Sequence, residues 1–138
     1  MFGNFNNPVA AYKSVNIDAS VSSADPHQLI TLLFEGARAA IALARGEMER
    51  RNIAAKGKSI SKAIDIIENG LKASLNMEVG SDLPEKLDGL YDYMIVRLLH
   101  ANLKNDLAAL DEVATLLAEI QGAWVGIREQ IVSPPNPG

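Results

Sequence analysis

The sequence predicts an all-α protein, an antiparallel up-down four-helix bundle with a partly ordered N-terminal segment. Three observations carry this. Between residues 25 and 132 apolar side chains recur at steps of three and four in four successive runs. Each run opens on a capping residue, and a breaker or the next cap follows it. The runs are about 24 residues long, roughly 36 Å at 1.5 Å per residue, and the short connections between them favour antiparallel neighbours. No segment alternates with period two for long enough to compete as a strand.

The first helix is expected over roughly residues 26–51. Asp25 offers an N-cap carboxylate, Pro26 fits the first turn, and Gln28 stands at the capping-box position. Asn52 interrupts it. The second is expected over about 54–77, with Ile60, Ala63, Ile64, Ile67, Leu71 and Leu75 on one stripe and Val79, Gly80 and Ser81 as the stop. Ser81 or Asp82 caps the third, which reaches about Lys104 along Leu87, Leu90, Met94, Leu98 and Ala101. Pro84 is tolerated there because first-turn amides lack intrahelical acceptors. Asp106 caps the fourth, whose Leu110, Val113, Leu117, Ile120, Trp124, Ile127 and Ile131 step alternately by three and four, the pattern of a bundle seam. Pro134, Pro135 and Pro137 forbid more helix. The expected organisation is an N-terminal docking segment over 1–24, a four-helix bundle over 25–132 and a disordered tail over 133–138.

Composition narrows the function. The 138 residues are 48% hydrophobic but hold no run of 18 uncharged apolar positions, so one soluble domain without membrane insertion is expected. The absence of cysteine excludes a disulfide framework, a thiolate zinc site and thiol catalysis. The start carries no secretion-signal pattern, which points to a cytoplasmic (cytosolic) protein. Thirteen Lys and Arg against seventeen Asp and Glu give a net charge of -4, the wrong sign for nucleic acid or anionic lipid. That excess sits in residues 106–138, where Asp106, Asp111, Glu112, Glu119 and Glu129 face Arg128 alone. Residues 1–24 carry only Lys13 and Asp18 among Asn, Ser, Ala and Val, too weakly apolar to fold unaided.

No catalytic or metal site is expected, and no cofactor. The histidines are His27 and His100; position 24 is Ala and position 97 is Arg, so the Glu-x-x-His pattern of carboxylate-bridged metal bundles is missing. Phosphate-cradling glycine motifs and a nucleophile elbow are missing too. The carboxylates read as a solvated face with i,i+4 partners such as Glu47 with Arg51. His100 with Lys104 raises the alternative of a histidine phosphotransfer-like bundle. The spacing is one residue longer than such domains use, and Asn105 follows where they place Gly.

The clearest signal is surplus apolar surface. A bundle helix needs about three apolar positions in seven, yet Leu29, Ile30, Leu32, Leu33 and Phe34 are broken only by Thr31. Over residues 90–99 only Asp92 and Arg97 are charged. One seam cannot hold both faces of a helix. The surplus calls for one of three covers: residues 1–24, a second copy in a homodimer, that is, a self-associating structural bundle, or an amphipathic segment of another protein. A generous core with single exposed apolar residues is the plainer alternative. Val9, Tyr12, Val15, Ile17 and Val21 suit the first segment to act as a removable lid. Tyr91 and Tyr93 point about 200° apart, so they cannot share one pocket. Glycines 36, 46, 57, 70, 89, 122 and 126 fall inside helices, where some would permit close approach.

Over residues 11–124 the chain resembles the flagellar secretion chaperone family (FliS). The motifs are Ala11, Tyr12, Lys13, Ser14 and Val15, then the runs 25–30, 33–37 and 60–67, then Gly70 with Leu71. The densest match is Leu90, Tyr91, Asp92, Tyr93, Met94 and Ile95 with Arg97, Leu98 and Leu99, followed by Ala101, Asn102, Leu103, Asp106, Ala123 and Trp124. Pro84 departs from the pattern, as do Val125 and Gly126 where a basic residue is common. The resemblance implies an antiparallel four-helix bundle whose N-terminal segment occupies a surface groove. It also implies a non-enzymatic export chaperone that binds the disordered C-terminal region of flagellin, blocks premature polymerisation and helps delivery to the type III export gate protein FlhA. By position Tyr12, with its neighbour Val9, matches the family's N-terminal docking motif. On physical grounds Leu29, Leu33, Phe34, Tyr91, Ile95 and Leu99 are the expected groove or groove-edge residues.

Overall fold

The structure, a computed structural model, describes residues 25–77 and 81–132. The expected docking segment with Val9 and Tyr12, the stop at Val79 and Gly80, and the tail 133–138 lie outside them. Helix α1 spans Pro26–Glu49, α2 Ile53–Asp65, α3 Leu83–Lys104 and α4 Leu107–Val132. Each helix packs on the next and α4 closes against α1, so the chain runs up and down around one core. No strand occurs among the described residues.

The helix ends follow from local chemistry. Asp25 Oδ1 accepts from the Gln28 amide at 2.8 Å, and Asn52 Oδ1 from the Ala55 amide at 3.3 Å. Asn52 is thus a cap as well as an interruption, and α2 starts one residue earlier than expected. Helix α1 stops at Glu49, two residues short of the expectation, because Arg51 takes a left-handed φ of 59° that reverses the chain within three residues. The expected Glu47–Arg51 pair is not recorded there; Arg51 has left the helix and Glu47 Oε1 accepts from Ser59 Oγ at 2.6 Å. Asn105, with φ 52°, ends α3. Asp106 then caps α4, Oδ1 accepting from the Ala109 amide at 3.2 Å. At the start of α3 Asp82 holds the cap position without a side-chain capping bond, its Oδ2 instead pairing with Lys86 Nζ at 3.1 Å, while Ser81 Oγ accepts from the Leu83 amide.

The second run is not one uniform helix to residue 77. Its α-helical part ends at Asp65, a π-helical turn covers Ile66–Leu71, a 3-10 turn covers Lys72–Ser74, and Leu75 is extended. The wider π turn gathers Ile66, Ile67, Gly70 and Leu71 toward the core, two adjacent pairs that a 3.6-residue stripe would spread over a broader arc.

The core holds Phe34, Ile41, Ile60, Ile67, Met94 and Leu98, with Leu110, Val113 and Leu117 of the α4 seam fully enclosed. Farther along that seam Ile120 and Trp124 are half-buried; the side chains of Ile127 and Ile131 lie outside the described set. Alanines 37, 40, 44, 63, 101 and 109 are buried and let the helices approach closely. The buried Lys56 is satisfied: Nζ donates to the Asn102 carbonyl at 2.9 Å and to Asn105 Oδ1 at 2.6 Å. It places a cation where the α3 dipole ends negative. Among the glycines, Gly36 faces Ile66 Cδ1 closely, whereas Gly57 and Gly89 adjoin open space and are not there for close approach.

Candidate docking surface

At the end of the bundle where α1 begins, the four helices do not close over the core. Beyond α2 the chain passes through the π and 3-10 turns and leaves helical geometry at Leu75. The result is an open groove of about 480 Å3. Ile30 and Phe34 come from α1, Leu71 and Leu75 from the end of the second run, Leu83, Pro84, Leu87 and Tyr91 from α3, and Ile120, Ala123 and Trp124 from α4. Ser74, Asn76 and Glu119 supply the polar margin. An apolar groove with few polar groups is suited to binding an amphipathic segment.

One groove wall is braced by a reciprocal clasp between α1 and α4. The His27 and Trp124 rings stack with centroids 4.1 Å apart and planes 4° from parallel. His27 Nε2 lies 2.8 Å from the Trp124 carbonyl, and Trp124 Nε1 donates to the His27 carbonyl at 3.0 Å. Because a carbonyl only accepts, Nε2 carries the proton, which leaves His27 Nδ1 as a buried acceptor without a partner. Tyr91 is 3% exposed, and burial pushes its phenol up to about 12.

Of the residues singled out from the sequence, Phe34 and Tyr91 meet in the groove. Leu29 and Leu33 are buried. Leu33 belongs to the core and also borders a smaller hollow of about 340 Å3 between α1 and α2, lined in part by Gly36, Ala39 and Ala40. That hollow and the groove together account for the all-round apolar start of α1. Ile95 is half-buried against the core, whereas Leu99 is 54% exposed on the outer face of α3 with Val96 and Leu103. These three form a solvent-facing apolar stripe at steps of three and four. Tyr93, as its spacing from Tyr91 requires, is exposed and donates to Glu112.

Beside the stripe runs a polar network. Arg97 Nε donates to Glu112 Oε1 at 2.7 Å, and His100 Nε2 stands 3.1 Å from Asp106 Oδ2. The Tyr93 and Arg97 hydrogen bonds hold the Glu112 carboxyl below its ordinary range. Asp111 is lowered in the same way by Arg45 of α1, whose Nε donates to it at 2.7 Å. These contacts tie α4 to both its neighbours and engage His100 in helix capping.

Sequence reasoning missed Ile30, Leu71, Leu75, Leu83, Pro84, Leu87, Ile120, Ala123 and Trp124 as groove residues. Helical periodicity marks which face turns inward but not where the bundle stays open. The His27 clasp was missed too, although a polar ring in the first turn of an apolar helix and an aromatic late on the seam were both visible.

The family profile described as "Flagellar protein FliS" matches residues 8–131. The chain is 51% identical over 116 residues to the flagellar secretion chaperone FliS of Salmonella typhimurium, covering 84% of this chain and 86% of that protein. It is 51% identical over 116 residues to the flagellar secretion chaperone FliSB of Pseudomonas aeruginosa, covering 84% and 91%. To the flagellar secretion chaperone FliS of Escherichia coli it is 44% identical over 124 residues, covering 90% and 89%.

Proposed function

The chain belongs to the FliS family of flagellar secretion chaperones, which are not enzymes, and we propose that its cargo is the disordered C-terminal region of flagellin. Family membership replaces the phosphotransfer alternative raised by His100. The observation that carries the cargo reading is the open apolar groove walled by α1, α3, α4 and the turns that follow α2, with the exposed α3 stripe of Val96, Leu99 and Leu103 as a second apolar surface. A segment that folds on binding gives up ordering entropy but buries a long apolar face, and covering that face removes the surface from which filament assembly starts.

Residues 1–24 act, in this reading, as a docking segment and lid. They join the bundle at Asp25, and Ile30, little more than one helical turn farther on, already lines the groove. A lid that must be displaced lowers the net affinity for cargo, so release requires no nucleotide. Tyr12 and Val9 are the proposed contacts of the lid. Handover to FlhA, from a cytosolic complex, completes the proposed route; no helix among the described residues is long and apolar enough to cross a membrane.

The test is a pull-down with full-length flagellin against flagellin lacking about its last 40 residues, a length that forms helices able to span a bundle. Retention of the full-length protein alone is expected, in a 1:1 complex. Equal retention of both, or a chaperone dimer whose size the flagellin C-terminal peptide does not change, overturns the reading. Deleting residues 1–17 should leave flagellin affinity unchanged or raised; a collapse would contradict a simple lid.

A further inference from the structure

Among the polar groups set into the groove one stands apart, Asn76 and Glu119 being exposed at its margin. Ser74 Oγ donates inward to the Gly70 carbonyl at 2.6 Å, and Trp124 Nε1 is engaged by the His27 carbonyl. The Tyr91 hydroxyl has no hydrogen-bond partner among the described residues, although the residue is 97% enclosed and lines the groove. Nor is that oxygen sealed off: the fully enclosed unpartnered side-chain atom among the described residues is His27 Nδ1. With the proposed lid displaced, the groove that Tyr91 lines stands open to water. Its raised ionisation has burial as its sole cause, in keeping with a hydroxyl that no neighbour engages.

An occupant that fills the groove expels that water. A wholly apolar one would strand a buried hydroxyl, which is unfavourable unless a new partner replaces the water. A leucine or valine at position 91 would avoid the problem, so the phenol makes sense as a reading device. We infer that the Tyr91 hydroxyl is a specificity handle: the flagellin segment seated in the groove presents it with an acceptor, either the second lone pair of a helix carbonyl or an Asn, Gln or Ser side chain. This rests on the cargo proposed above and adds a chemical requirement to it. Apolar area supplies affinity, and the buried polar contact selects the register in which the segment lies, since shifting the segment by one residue turns a different side chain toward Tyr91.

The experiment uses the full chain, a fluorescently labelled flagellin C-terminal peptide of about 40 residues, and the variants Tyr91→Phe and Leu87→Ala. Tyr91→Phe removes only the oxygen. It should bind the peptide about tenfold more weakly while its thermal midpoint stays equal to the wild type or rises, because the free protein loses no hydrogen bond within itself. Leu87→Ala should lower affinity and thermal midpoint together, since it deletes wall and packing at once. Unchanged affinity in Tyr91→Phe beside a loss in Leu87→Ala overturns the handle and leaves the groove as the cargo site. A Tyr91→Phe chain that unfolds or melts lower also overturns it, by showing that the hydroxyl serves the fold. Failure of the wild type to bind the peptide overturns the cargo proposal and this inference with it.

Discussion

Lys56 shows how one side chain holds a corner of the bundle. Its stem is enclosed, while its ammonium answers a helix-end carbonyl and the Asn105 side chain of the left-handed turn between α3 and α4. Lys56→Met keeps the apolar bulk but leaves both acceptors without their donor. The expected loss is about 1–3 kcal/mol of stability in urea unfolding; an unchanged midpoint would mean that water replaces the ammonium there. Tyr91 and Glu112 give opposite limbs of a pH profile. The Tyr91 phenol titrates at about 12 when folded, against 10.0 for the ordinary group. Between those values the unfolded chain sheds the proton first, so stability is intact below about pH 10 and declines toward pH 12. Tyr91→Phe should flatten that alkaline decline. Glu112 and Asp111 are shifted the other way, downward, by their hydrogen bonds to Tyr93 and Arg97 and to Arg45. Their contribution is present at neutral pH and lost as pH falls through and below the usual carboxylate range. Glu112→Gln should make the acid limb less steep, as read by circular dichroism during an acid titration.

At the scale of elements, the helix starts were legible because their signals are local. Asp25 and Asp106 each place an oxygen on an amide that would otherwise lack a partner, and a sequence displays such residues directly; Asn52, read from the sequence only as an interruption, does the same for α2. The π turn at Ile66–Leu71 was not legible, because the same residues also fit an α-helical stripe and only the packing of adjacent isoleucines favours the wider turn. The groove was half legible. An excess of apolar residues in α1 and α3 announced a surface, and Phe34 and Tyr91 were named for it. Leu33 turned out to be core and Leu99 to face outward, because burial depends on the neighbouring helices as much as on a residue's own period. Glycines give a test of the helices themselves. Gly57 in α2 and Gly89 in α3 have nothing within 4 Å of an added Cβ. Gly57→Ala and Gly89→Ala should each stabilise the protein by about 0.5–1 kcal/mol through reduced backbone freedom. A lower melting temperature in either would show that the position needs glycine for another purpose.

For the whole molecule, the decisive feature is that four helices enclose a core through most of their length yet part at one end. The chain enters α1 at that same end, and α4 braces it through the Trp124 and His27 clasp. Enclosed aliphatic layers lie toward the middle, and the groove at the end where residues 1–24 attach shares Phe34, Leu71 and Tyr91 with the core. In the proposed reading a segment seats on that end while the aliphatic layers stay packed. Within the acidic last quarter of the sequence, Asp111 and Glu112 are engaged with Arg45 and Arg97 away from the groove, whereas Glu119 stands at its margin. The measurement that bears most directly on this account is the affinity of the full chain for the flagellin C-terminal peptide, compared between the wild type and Leu87→Ala under conditions where both are folded. The account predicts a 1:1 complex that weakens when the groove wall is cut back; a wild type that ignores the peptide, or a Leu87→Ala variant that binds it equally well, would contradict it.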